Sequence, residues 1–390
     1  MIPVLASVVG GGRREGDTVA ADVNPAAPEE HVATVSLAGP GIAADAIEAA
    51  ASAFAAWRET PPPPRGDVLR RAADLVDARA DTIGRDLARE EGKTLAEAIG
   101  ETRRAATILR YSAGQTLEQD GETYPSHSPL TFLYARREPL GVVTASRPAY
   151  SSSVAARSPA TRSSRTTESR PSPSRFRRLQ LQRASDDVRA ASTPGSPTAS
   201  STSGRRRARR VRATRRARRA LRAPLDEATK VGQLASQSQL DTVSGYLDLA
   251  EREAARVLAG GGRRDGGGYF VEPTVLADLP ATSRVVREEI FGPVVALLPA
   301  SSYEEAVVLA NDTPFGLTAA LFTRDLGKAL RFSRDVRAGV VKVNQESAGL
   351  EFQVPFGGKR ESSSDSREQG KVAREFFTQW KTVYLDAPVA

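Results

Sequence analysis

An α/β fold is predicted from three observations. Short β-rich runs alternate with helical periodicity from residue 225 onward, and three helical stretches precede them between 44 and 112. The 25 prolines and 31 glycines in 390 residues break the chain too often for one long helical array. A hydrophobic content of 40% is enough for one large core or two to three smaller ones.

Ile47, Ala51, Phe54 and Ala55 recur at helical spacing across 44–57, and Asp45 falls in the expected first turn, where its charge suits the helix dipole. The four prolines at 61–64 break that helix. Val68, Leu69, Ala72, Val76, Ile83 and Leu87 then mark a second amphipathic helix, and a third runs from Lys93 to about Ser112. The stretch LTFLYARREPLGVV at 130–143 reads as strand, turn, strand around its Pro-Leu-Gly break. Beyond the middle of the chain, 240–257 reads as helix and GGGRRDGGGYF at 260–270 as a flexible turn. That turn has neither a GxGxxG pattern nor a GK[ST] ending, so it is not a phosphate loop. Strands are expected at 269–276, 294–298, 317–322 and 340–343. Helices are expected at 303–311, with Glu304 and Glu305 near its start, and at 326–334. A last helix from about Lys371 leads into a terminal strand at 381–385.

Composition excludes several chemistries. The chain has no cysteine, which removes disulfides, thiolate metal sites and thiol nucleophiles together. Its two histidines, His31 and His127, stand near Pro or Ser in expected loops and are too few for a multi-histidine zinc site; no metal is expected. The opening MIPVLASVVGGG lacks a basic leader region, and no apolar run approaches the roughly 18 residues of a membrane span. No membrane partner is expected, and the expected location is cytoplasmic.

The net charge of +8 is unevenly placed. Residues 151–220 hold 19 Arg, no Lys and three acids, a local charge of +16, so the rest of the chain stands at −8. That stretch has no Ile, Asn, Tyr, His or Met and only five Val or Leu, too few to bury a strand or a helix face. It is expected to be disordered.

The flanks carry a resemblance. EEIFGPVVALLP at 288–299, NDTPFGLTAALFTRD at 311–325, GVVKVNQES at 339–347, VPFGGKRESSSDSREQG at 354–370 and FFTQWKTVYLD at 376–386 look like the C-terminal half of an aldehyde dehydrogenase. VNP at 23–25, REEGKTLAEAIGE at 89–101 and REPLGVV at 137–143 agree on the N-terminal side, in the order that superfamily uses. The resemblance covers most of 17–145 and 225–386. NQES and REQG resemble the branch acting on semialdehydes such as 2-oxoglutarate semialdehyde (2,5-dioxovalerate).

The resemblance implies an aldehyde-dehydrogenase-like α/β fold, with a Rossmann-like cofactor domain, an α/β catalytic domain and a β-hairpin oligomerisation arm. On this chain the cofactor domain is truncated. The expected divisions are 1–145 for its N-terminal part, with the first arm strands at about 120–145, then 146–224 for the Arg/Ser segment. Residues 225–375 would form the catalytic remnant and 376–390 the last arm strand and tail. The implied reaction takes a small aldehyde or semialdehyde to its acid with NAD or NADP. A cysteine thiolate attacks the carbonyl, an asparagine amide and a backbone N–H hold the oxyanion, and a glutamate activates the water that cleaves the thioester.

The residues present do not meet those needs. TASRPAYSSS at 144–153 stands where a Pro-Trp-Asn context is implied, and the cysteine, the glutamate and the cofactor's phosphate turn would all fall in the Arg/Ser segment. No catalytic residue is assigned. Serines abound in 151–203, yet a hydroxyl ionises far less readily than a thiol and nothing sets one beside a base. What the resemblance leaves is Glu289, implied to accept hydrogen bonds from the nicotinamide ribose diol, and Phe291, implied to pack near the ring. Asn344 is implied to lie near the substrate cleft; a turn residue closing a strand is the alternative.

Two readings of the segment stand side by side. As a basic arm, 204–222 would bind nucleic acid through phosphate neutralisation alone, with Phe176 the one aromatic of 151–220. As a product of reading a GC-rich gene out of frame, 151–220 would be rich in Arg, Ser, Pro, Ala and Thr and empty of Lys, Asn, Ile, Tyr and Met, as it is. On the second reading the helices of 42–115 lose the sheet they would cover, exposing apolar faces that favour chaperone retention. Arm strands that survive would still allow a homo-oligomer.

Overall fold

The computed structural model describes residues 2–144, 223–264, 267–363 and 367–386. The expected disorder of the Arg/Ser segment and the basic run within it therefore lie outside the described residues, save for the last residues, 223 and 224. The fold is α/β.

Five short strands come first: β1 (Val4–Leu5), β2 (Ser7–Val9), β3 (Gly12–Arg14), β4 (Thr18–Asn24) and β5 (Ala27–Leu37). β5 pairs antiparallel with β4 and parallel with β1. The sequence gives no forewarning of these strands, and His31 sits on β5 rather than in a loop. At the β4–β5 turn, Asn24 Oδ1 accepts from Ala26 N (3.0 Å) while its Nδ2 donates to Glu30 (2.6 Å), the local side-chain bonding that makes Asn a turn residue.

α1 (Pro40–Glu59) starts earlier than expected, so Asp45 lies in its second turn and not its first. None of its twenty residues is buried. The four prolines do not merely end it. Three of them open α2 (Pro62–Ala78), since a first-turn residue needs no N–H partner. The expected single helix over 68–87 is two, α2 and α3 (Ala80–Glu91), broken where Arg79 leaves helical geometry. α4 (Leu95–Gly114) begins at a capping box in which Thr94 and Glu97 satisfy each other's backbone N–H. α2, α3 and α4 pack on one another, and α3 also packs on β4 and β5.

The expected strand pair at 130–143 is one strand. β7 (Thr131–Pro139) pairs with the preceding β6 (Gly121–Tyr124), and residues 140–143 form no strand. Its second neighbour is β13 (Thr378–Asp386), in register from Thr131–Asp386 to Pro139–Thr378. This arm sheet has the order β6-β7-β13.

The C-terminal half holds the largest core. α5 (Gln237–Arg252), capped by Ser236, is followed by β8 (Arg256–Ala259), so the helix expected to reach 257 ends at 252. β8, β9 (Thr274–Ala277) and β10 (Val294–Leu297) form one sheet, β9 in the centre and buried throughout. Val243 and Leu240 of α5 pack on Leu276 of β9 with Val285 and Ile290. The described ends of the glycine-rich turn before β9 are tied to each other. Glu272 N donates to Gly262 O, and a Cβ on Gly260 (φ +66) would lie 2.3 Å from Pro273 O.

Beyond α6 (Arg284–Arg287) and β10 come α7 (Tyr303–Asn311), β11 (Thr318–Leu321), α8 (Leu326–Asp335) and β12 (Val340–Val343), with β11 and β12 parallel. α9 (Ala373–Phe377) leads into β13. The two halves meet directly. Tyr111 of α4 sets its ring edge-on to Phe352, with centroids 5.3 Å apart, and Tyr269 N donates to Pro25 O (2.8 Å).

Across the arm, Lys381 Nζ donates to Glu138 (3.0 Å), and Arg136 and Arg58 also approach that carboxylate. Lys381 first, and then Arg136, hold the Glu138 carboxyl below the usual carboxylate range. A depressed folded-state value stabilises the fold at neutral pH, and that contribution is lost as pH falls through the depressed value. Glu138→Gln is therefore expected to lower the melting temperature at neutral pH and to converge on the parent protein as pH falls through the depressed value, read by thermal unfolding across an acid-to-neutral range. Equal offsets at both ends would rule out this role.

Candidate functional site

Glu289 and Phe291 lie on the loop between α6 and β10. Ser283 caps α6 by accepting from Val285 N (3.1 Å), and the helix ends at Glu288. Glu288 is held by Arg284 through two hydrogen bonds (2.7 and 2.9 Å) and by the Tyr246 hydroxyl (2.6 Å). Arg284, then Tyr246, keep the Glu288 carboxyl below its usual range, while burial and then the bond to Glu288 push the Tyr246 phenol up. Glu288 is thus a structural anchor. Its neighbour Glu289 is exposed, Ile290 is buried in the core and Phe291 is half-buried.

The backbone here is unusual and well fixed. Phe291 has φ +55, a left-handed conformation rare outside glycine. Gln239 of α5 donates through Nε2 to both Ile290 O and Phe291 O (3.0 Å each), which holds the strained residue in place. A Cβ on Gly292 would lie 2.5 Å from Val243 Cγ2, so only glycine lets the loop close on α5. Thr274 N donates to Pro293 O (2.7 Å) and ties the loop to β9. The result is a rigid mount that presents Glu289 at the surface. Gln239 and Tyr246, which build the mount, had no signal in the sequence beyond their places on an amphipathic helix.

Asn344 closes β12 with φ +55 and is exposed. Its backbone N donates to Leu321 O (2.8 Å), its Oδ1 accepts from Thr323 N (2.8 Å) and its Nδ2 donates to Thr323 O (2.8 Å). The side chain thus continues the ladder between β11 and β12 past the last residue of the strand. Both amide atoms are engaged in that contact, so the geometry is that of a strand-end turn residue. Asn344 and Glu289 sit on different sheets, one at the carboxyl end of β12 and the other before β10.

These residues do not amount to a nicotinamide cofactor site. Glu289 and Phe291 are the residues implied by the resemblance for its ribose end. The elements implied for pyrophosphate and adenosine fall in the Arg/Ser segment, outside the described residues. Among the described residues no helix is long and apolar enough to cross a membrane.

The aldehyde dehydrogenase family model matches residues 13–148 and 205–383. Between them lie 149–204 without a match. The second part takes in most of the arginine run. The chain is 32% identical to an alpha-ketoglutarate semialdehyde dehydrogenase of Haloferax volcanii, over 93% of this chain and 94% of that one. It is 30% identical to the alpha-ketoglutaric semialdehyde dehydrogenase of Bacillus subtilis, over 95% of each. The Haloferax alignment has 456 positions and takes in 93% of these 390 residues, so roughly 90 of its positions are filled by the relative alone. The fold is shared with an NAD-dependent aldehyde dehydrogenase from Sinorhizobium meliloti, with a TM-score of 0.78 at 22% identity, over 100% of this chain and 96% of the other. The chain belongs to the aldehyde dehydrogenase family.

Asn344→Ala is expected to cost about 1–3 kcal/mol in urea unfolding, from two lost side-chain bonds and a left-handed backbone without glycine or asparagine. Asn344→Gly keeps the backbone freedom and is expected near the low end of that range. Equal costs for the two would mean that φ carries no strain there.

Proposed function

From that membership we propose that the chain descends from an NAD(P)-dependent enzyme oxidising a semialdehyde to its carboxylic acid, and that as written it performs no such oxidation. The observation that carries this is the absence of cysteine from all 390 residues. The chemistry needs a thiolate that adds to the aldehyde and, once hydride has left to NAD(P), remains as a thioester open to water; a serine hydroxyl is barely ionised at neutral pH and its ester is a poorer acyl intermediate. The family match lapses over 149–204, and roughly 90 positions of the Haloferax relative have no counterpart here. Both support the reading that the central section has been lost.

Glu289 on its rigid loop is the remnant that fits a ribose diol. The arm supports a second part of the reading, that copies of the chain associate through it. Phe132, Trp380, Tyr384 and Leu385 on β7 and β13 are all exposed. The nucleic-acid reading of 204–222 rests on arginine content alone and takes no support from the described residues.

Purified protein mixed with NAD or NADP and a panel of small aldehydes and semialdehydes is expected to form no reduced cofactor above an aldehyde-free blank. Turnover proportional to protein, and surviving repurification, would refute the inactivity. Translating the coding DNA of 146–224 in the other two frames tests the origin of the segment. A Pro-Trp-Asn segment and a cofactor-binding pattern are expected. Two nonsense frames would exclude a frame error.

A further inference from the structure

A cavity of about 660 Å³ opens between α6, the turn after α7 and the residue pair before β12. Its walls include Thr282, Arg284, Arg287, Thr313, Arg337 and Arg360. It lies at the amino ends of β11 and β12, whereas Asn344 closes their carboxyl end.

The charges there do not balance. Glu288 is taken by Arg284 and the Tyr246 hydroxyl, and Asp312 by Arg287 through two bonds (2.9 and 3.1 Å). Those two pairs neutralise each other, leaving Arg337 and Arg360 uncompensated. Arg337 is exposed, and its guanidinium makes no hydrogen bond or ion pair among the described residues. Its backbone is nonetheless fixed, because Arg337 N donates to Asn311 Oδ1 (2.7 Å) while Asn311 Nδ2 donates to Asp335 O (2.9 Å).

Arg360 is held more firmly. Its φ of +54 is rare for a residue with a side chain, and the turn is closed by Lys359 N to Gly316 O (2.9 Å) and Glu361 N to Pro314 O (3.2 Å). Arg360 Nη1 donates to Asn311 O (2.8 Å) and to Thr313 O, which orients the guanidinium and leaves its other N–H groups without partners among the described residues. Arg360 is thus preorganised and Arg337 is anchored at its backbone, on a wall that also carries Thr282, with a surplus of two positive charges. Planar guanidinium forks match the oxygens of a phosphoryl group. Pro314 is the one apolar wall residue, which disfavours a ligand with a hydrocarbon spacer.

We propose that this cavity binds a compact phosphoryl dianion, a phosphomonoester or a diphosphate, through Arg337 and Arg360. Phenylglyoxal labelling of the full chain, located by peptide mass spectrometry, tests this with inorganic diphosphate as the probe. At four times the dissociation constant, labelling of Arg337 is expected to slow about fivefold. Arg14, exposed on β3, serves as the reference and is expected to label unchanged. Arg337→Glu is expected to abolish protection of Arg360, and Arg337→Lys to retain most of it. Diphosphate that protects only the arginine run, or slows Arg14 equally, overturns the site, as does protection of Arg360 that persists in Arg337→Glu. Succinate at the same concentration is expected to protect neither residue, and equal protection by it overturns the phosphoryl assignment.

Discussion

Nine consecutive residue pairs between β7 and β13 join positions some 240 apart in the chain, and that pairing ties the N-terminal half to the C-terminal half. The pairing needs nothing from the span that lacks a family match. Around it the arm adds contacts of its own: Arg137 lies over the Trp380 ring (4.3 Å), and Lys381 reaches Glu138 from the opposite strand. With the arm closed, α4 and the C-terminal half are brought within reach, and Tyr111 finds Phe352. Exposed ion pairs contribute little singly. The backbone ladder carries the closure, and the side chains set its register.

Elements with local signals were legible to the residue. α7 and β12 fall where periodicity puts them, because Ser302 accepts from Glu305 N at the start of the helix and VVKV is a short β-branched run. Elements defined by distant partners were not. The stretch at 130–143 reads as a local hairpin, yet β7 finds its second neighbour in β13, and residues after Pro139 are left without a strand to join. β4 and β5 were missed because a bulged pairing and the acids Glu29 and Glu30 blur their alternation. α2 and α3 read as one because nothing at Arg79 advertises a break; neither Gly nor Pro stands there.

The site shows the same division. Family motifs single out Glu289 and Phe291, and the structure places both on the loop between α6 and β10. Gln239 was not, since a side chain that donates to two backbone carbonyls leaves no trace in a pattern of residue types. Asn344 was open between cleft and turn, and the two bonds to Thr323 place its amide in the ladder. Function is written here in what a few atoms are already committed to. Glu288 and Asp312 are spent on arginines, Asn344 on a strand end, and the Arg337 guanidinium on nothing among the described residues.

α1 has a further consequence. A twenty-residue helix is about 30 Å long, and one with no buried residue has little tertiary packing to hold it. It belongs to the low-stability end of the fold, where helices open locally while the arm and the β8–β10 core stay intact. Its backbone amides would exchange first, and a protease would find its first cut there before any global unfolding. Limited proteolysis of such a chain would report the local opening of α1 rather than the stability of the β8–β10 core.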